Sequence, residues 1–200
     1  MTTWVETPRE GRDRGLTGLL RAWVAVVVRP RRFFRDGVAP GDQAPGLVFA
    51  IAVALVYQGL GFALAPATIP AIEGGPLVSA LVALLVVALF VAPALLHLTA
   101  AIQTALLIPL LSRRAGVSET VQVIAYAAAP CAFASLPIPG VRALCAVYGA
   151  VLLVVGISEV HRTTVPKAAV AAAVPAGLVF GYAFGGFRAL SELAAALALV

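Results

Sequence analysis

Between Gly46 and Gly186 the chain carries almost no charge outside a few short clusters, and those clusters cut it into long apolar segments. A helix needs about 20 mostly apolar residues to cross about 30 Å of hydrocarbon. The segments meet that length, so the expected fold class is all-α: a polytopic transmembrane helical bundle. The composition agrees, with 62% hydrophobic and 12% charged residues, where soluble domains carry about 25% charge. No length is left for a large soluble domain.

The net charge of +5 raises nucleic acid as a partner. A nucleic-acid binder, however, spreads its basic residues over a folded soluble face, and here they crowd beside apolar segments. That placement fits the positive-inside rule and attraction to anionic headgroups. The expected partner is the lipid bilayer, anionic lipids included, with no nucleic acid.

The chain starts with Glu6, Arg9, Glu10, Arg12, Asp13 and Arg14 and no apolar run, unlike a cleavable signal peptide. Residues 1–45 are read as a cytosolic basic segment. Within it, Leu16 to Val28 is too short to span. On a helix, Leu16, Leu19, Leu20, Trp23, Val24 and Val27 share one face, opposite Thr17, Arg21, Ala25 and Arg29. This predicts an interfacial amphipathic helix. Arg29, Arg31, Arg32 and Arg35 follow, with Phe33 and Phe34 between them. With Trp23 they form the candidate surface for the membrane or a partner.

Residues 46–186 hold the spans and 187–200 a short outer tail. The first span runs from Leu47 to about Ala65. The run Leu77 to Leu111 is too long for one straight crossing, and charge parity decides how to read it. Crossing once leaves twelve of the fourteen basic residues inside, all but Arg142 and Arg188. Crossing twice would move Arg162 and Lys167 outside. The expectation is one long helix bent near Pro93, then spans at Glu119 to Leu136, Val141 to Ser158 and Lys167 to Gly185. Five crossings place the N-terminus in the cytosol and the C-terminus outside.

None of these spans has an acidic residue at mid-depth, where an ionisable group would signal function. Glu119 and Glu159 lie at inner ends, within reach of Arg113, Arg114 or Arg162. His97 is expected to make a helix-packing hydrogen bond and His161 to be solvated in an inner loop. The two histidines lie on different elements without a nearby carboxylate, which disfavours a metal site. HExxH, GxSxG and glycine-rich phosphate loops are missing. No cofactor and no enzymatic activity are expected.

Gly177, Gly181 and Gly185, in register with Ala169 and Ala173, form a small-residue face that would let two helices approach closely, within the chain or between copies. Cys131 and Cys145 are placed symmetrically about Ile138, so on antiparallel helices they share a depth. Spacing leaves open whether they bond.

The basic Pro and Phe segment Arg29 to Arg35, the long second run ending in Arg and Gly, GVSETVQVIAYAAAP (Gly116 to Pro130) and YGAVLLVVGISEVH (Tyr148 to His161) together resemble the Yip1 family of five-span membrane proteins, prokaryotic type. Tyr126, Pro130, Tyr148 and Gly156 carry the likeness. The resemblance implies a helical bundle with a cytosolic N-terminus. Eukaryotic relatives act in vesicle trafficking with Rab-type GTPases, but the DLYGP-type element and acidic N-terminal domain are missing here, so GTPase binding does not transfer.

The resulting expectation is a non-enzymatic scaffold or membrane-organising protein of the cell membrane, with thirteen arginines to one lysine favouring a GC-rich prokaryote. Its protein partner or homo-oligomer is not identified by sequence. The alternative is a small-solute permease or channel subunit, which should gather His97, Gln103, Tyr126 and Tyr148 around one cavity.

Overall fold

A computed structural model describes residues 3–7 and 11–198, with side chains from Gly15 onward. Two short strands, β1 (Thr3–Thr7) and β2 (Gly11–Arg14), pair antiparallel. From Gly15 every regular element is helical: α1 (Gly15–Val28), α2 (Pro30–Asp36), α3 (Ala44–Leu64), α4 (Gly75–Val86), α5 (Ala92–Leu110), α6 (Val117–Ala127), α7 (Pro139–Val160), α8 (Val165–Ala176) and α9 (Gly186–Ala198).

Proline sets most of the helix starts. Pro30, Pro45, Pro76, Pro139 and Pro166 each occupy the first or second position of a helix, where the missing N–H has no intrahelical acceptor to lose. Glycine marks two of the breaks. Gly74 (φ 107°) precedes α4, and Gly185 (φ 70°) stops the helical run ahead of α9, a left-handed conformation that a side chain would strain.

Four helical runs are long and apolar enough to cross a membrane: Ala44–Leu64, Gly75–Leu110, Pro139–Val160 and Val165–Ala183. The second is one rod made of α4, a π turn over Val87–Val91 and α5. Pro93 cannot donate to the Leu89 carbonyl, and the widened turn lies directly ahead of it. Another π segment, Gly177–Ala183, follows Pro175 and completes the fourth run.

The segment expected as the third span departs from a plain crossing. α6 has only 11 residues and passes into a 3-10 turn over Ala129–Phe133 that Pro130 helps to start. Every residue from Thr120 to Ala129 is buried, since α3, α5 and α7 pack around α6. A helix enclosed by protein cannot leave polar groups to water. Its Gln122 is therefore paired internally: the amide donates to the Ala39 carbonyl (2.7 Å) and accepts from the Ala39 N–H (2.9 Å).

The tail is the ordered helix α9, which packs on α7. Arg142 of α7 donates to the Ala134 carbonyl (3.0 Å) and lies 4.0 Å from Glu192 of α9, which also pairs with Arg188 at 2.8 Å.

Candidate functional site

The basic segment is built onto the bundle. α2 turns Phe33 and Phe34 inward, 4% and 1% exposed, correcting the expectation that they face the membrane surface or a partner. Burying two aromatic rings stabilises more than leaving them at an interface. Phe33 meets Tyr126 edge-on at 4.8 Å, and Tyr126 meets Phe49 in the same manner at 5.0 Å. Gly156 of α7 makes the room: a Cβ there would lie 2.7 Å from Val123 and 3.0 Å from the Phe34 ring. Tyr126 and Gly156, which carry the family likeness, thus form the seat of α2.

The arginines divide by role. Arg31 and Arg35, one turn apart, both reach Glu159 at the end of α7, at 3.3 and 2.9 Å. Their hydrogen bonds replace the pairing expected for Glu159 with Arg113, Arg114 or Arg162. The Arg35 bond raises the pKa of its guanidinium, mainly through the Glu159 hydrogen bond and then its charge. Arg32 lies 3.7 Å from Asp36. Arg29 is exposed and has no ion pair among the described residues.

α1 is held by two long side chains. The Trp23 indole N–H donates to the Ala129 carbonyl (2.8 Å), beside Pro130, and its ring lies 5.2 Å from Phe133. The Tyr148 hydroxyl donates to the Val27 carbonyl, one of the last carbonyls of α1, which have no intrahelical donor. The face packed on the bundle is Gly18, Ala22 and Val26, while Leu16, Leu20, Val24 and Val28 are exposed. The expected leucine-rich face is therefore the outward one, since small residues allow α1 to lie close.

His161, expected to be solvated, is 3% exposed. Its Nδ1 accepts the Ala115 N–H (3.2 Å), leaving Nε2 to face the Thr120 hydroxyl at 3.4 Å. Burial, and then the nearby Arg114, push its pKa down to about 4.

The other polar candidates are scattered. His97 is exposed, and its Nδ1 contacts the Pro93 carbonyl of its own helix (2.8 Å), not another helix. Gln103 is fully buried and donates to the Ala171 carbonyl of α8 at 2.8 Å. A cleft of about 160 Å³ between α3, the two π segments and α6 is lined by Tyr57, Gln58, Val91, Leu96, Ile124 and Phe184 among others, and by none of His97, Gln103, Tyr126 or Tyr148.

Gly177 and Gly181 face the Phe187 ring of α9, with a Cβ at Gly181 falling 2.3 Å from it. Gly185 forms the turn, and Ala169 and Ala173 are exposed. Cys131 and Cys145 are free thiols at one depth, the Cys131 sulfhydryl donating to the Cys145 carbonyl at 3.7 Å. Among the described residues no group of His, Cys, Asp and Glu side chains forms a metal-binding cluster.

Sequence reasoning missed Glu159 and Gln122 as anchors. The one-turn spacing of Arg31 and Arg35 is a signal for the first, since it calls for a shared acidic partner. Gln122 offered only its position in an apolar helix.

These features define a multi-pass integral membrane protein whose helices contact the lipid bilayer. The chain matches the Yip1 domain over residues 24–187 and belongs to that family. No curated protein and no solved structure matches it significantly.

Proposed function

We propose that this protein is a non-enzymatic, membrane-organising scaffold that uses the α1–α2 surface to contact lipid headgroups or a cytosolic partner. The observation that carries this reading is the fixed presentation of α2. Phe33 and Phe34 lock it to the bundle and Glu159 orients Arg31 and Arg35, so the basic face is displayed on a rigid support. A permease would converge polar groups on a passage; the separation of His97, Gln103, Tyr126 and Tyr148 supports the scaffold instead.

In this reading the chain crosses five times, with α6 and its 3-10 turn as a third crossing shielded from lipid by its neighbours. The N-terminus lies in the cytosol and α9 at the outer face of the cell membrane. The positive-inside distribution supports that orientation. The experiment is crosslinking in cells from photoreactive residues placed at 16–35, followed by identification of the captured species. Capture of lipid or of one reproducible protein is expected. A segment 16–35 that captures neither overturns the proposal.

A further inference from the structure

An open groove of about 440 Å³ runs between α1 and the start of α7, with an entirely apolar exposed lining. Trp23, Val24 and Val28 form one wall, and Phe133, Leu144 and Tyr148 the other. Two of these side chains carry polar ends, and both ends are already used: the Trp23 N–H on the Ala129 carbonyl and the Tyr148 hydroxyl on the Val27 carbonyl. The groove therefore presents ring faces and methyl groups only.

That chemistry selects the occupant. A peptide laid in the groove would lose hydration from its N–H and C=O groups without gaining partners, a cost of a few kcal/mol per group. Water is excluded for want of polar contacts. A hydrocarbon chain has no such demand. The groove's Val28 end adjoins Arg29, whose neighbours Arg31, Arg32 and Arg35 are engaged by Glu159 and Asp36 while Arg29 has no ion pair among the described residues. An uncommitted guanidinium at the end of an apolar groove complements an anionic headgroup above an acyl chain.

We infer that the groove holds one acyl chain of an anionic phospholipid whose phosphate meets Arg29. This rests on the reading of α1–α2 as a membrane-contacting surface and names the lipid that it takes.

Trp23 is a reporter inside the site, and Trp4→Phe leaves it as the sole tryptophan of the two in the chain. The full-length variant is reconstituted in phosphatidylcholine vesicles containing increasing fractions of phosphatidylglycerol or phosphatidylcholine with brominated chains, which quench tryptophan on contact. Brominated phosphatidylglycerol should reach half-quenching at about a fivefold lower fraction than brominated phosphatidylcholine, the factor one arginine near an anionic lipid contributes. Arg29→Gln should bring the two curves together, Arg29→Lys should restore most of the gap, and Arg32→Gln should leave it unchanged.

Equal quenching by the two lipids overturns the site, as does a preference that survives Arg29→Gln. A preference reduced equally by Arg32→Gln reveals diffuse surface charge and also overturns it. Quenching that depends on protein density and not on lipid type would place a second copy in the groove, which overturns the lipid site as well. The vesicles hold no other protein, so failure here is separate from the result of crosslinking in cells, which decides the scaffold reading.

Discussion

The Gln103 amide donates to the Ala171 carbonyl across the α5–α8 contact, and Ala171 is the residue whose helical donor would be position 175. Pro175 has no N–H to give. A side chain 68 residues away in sequence thus satisfies a carbonyl freed by proline, as backbone at membrane depth requires.

Replacing Gln103 with Leu should therefore destabilise the bundle by about 1–2 kcal/mol, because a buried acceptor loses its donor. Pro175→Ala supplies an N–H to the same carbonyl. The double variant Gln103→Leu/Pro175→Ala should accordingly lose less than the sum of the two single losses. Thermal unfolding in detergent of the four proteins measures the coupling, and strict additivity would contradict it.

Gly156→Val should dislodge α2. A Cβ already meets Val123 and Phe34 too closely, and overpacking of this kind costs about 1–3 kcal/mol. Trypsin cleavage at Arg31 and Arg32 should accelerate in the variant. Gly59→Ala is the control, since nothing lies within 4 Å of a Cβ there.

Glu159→Gln should produce a milder release of the same helix, through the loss of two ion pairs to exposed arginines. Such pairs are screened by salt. Raising the ionic strength should increase trypsin sensitivity of the parent protein toward that of the variant, and should change the variant little. A salt response of equal size in both would place the anchor elsewhere.

Stability should fall on acidification through His161. Its folded pKa of about 4 lies below the ordinary 6.5, so under acid conditions the unfolded chain binds a proton that the folded chain refuses. The neutral ring's contribution is complete above about pH 6.5 and is lost progressively down to about pH 4, a change on the order of 3 kcal/mol. His161→Gln keeps an acceptor for the Ala115 N–H and cannot take up that proton. Its stability should lack this acid limb, as measured by unfolding at stepped pH.

The five-crossing topology predicts the labelling of single introduced cysteines in intact cells. Glu73→Cys should react with an impermeant maleimide, whereas Arg114→Cys and Val165→Cys should react only after permeabilisation. Cys131→Ala and Cys145→Ala remove the native thiols. The reverse pattern would invert the orientation.

Long spans were legible because hydropathy and punctuation are local properties: Pro45, Pro139 and Pro166 stand at the helix starts that the apolar runs imply. α6 was not legible in this way, since hydropathy does not distinguish a helix wrapped in protein from one wrapped in lipid. Its span was read through to Leu136, past the 3-10 turn at Pro130. The site was half legible. Arg29 to Arg35, Tyr126 and Gly156 stood out as motifs, but their relation did not, because Glu159 lies 124 and 128 residues from its two arginines. His161 misled for a similar reason: Arg162 beside it suggested solvent, while Ala115 and Thr120, distant in sequence, enclose the ring.

The π turn in the long rod has a consequence for how length and orientation are set. An α-helix advances about 100° per residue, so adding or removing one residue elsewhere in α5 would swing part of the inward row of Leu96, Ala100, Gln103 and Leu107 away from its neighbours. A π turn holds one residue more than the α turn it replaces. Losing a residue within Val87–Val91 closes the turn and leaves both flanks in phase. The rod's reach across the bilayer and the azimuth of its inward row are uncoupled at that one point, making it the place where the helix can change length without changing its partners.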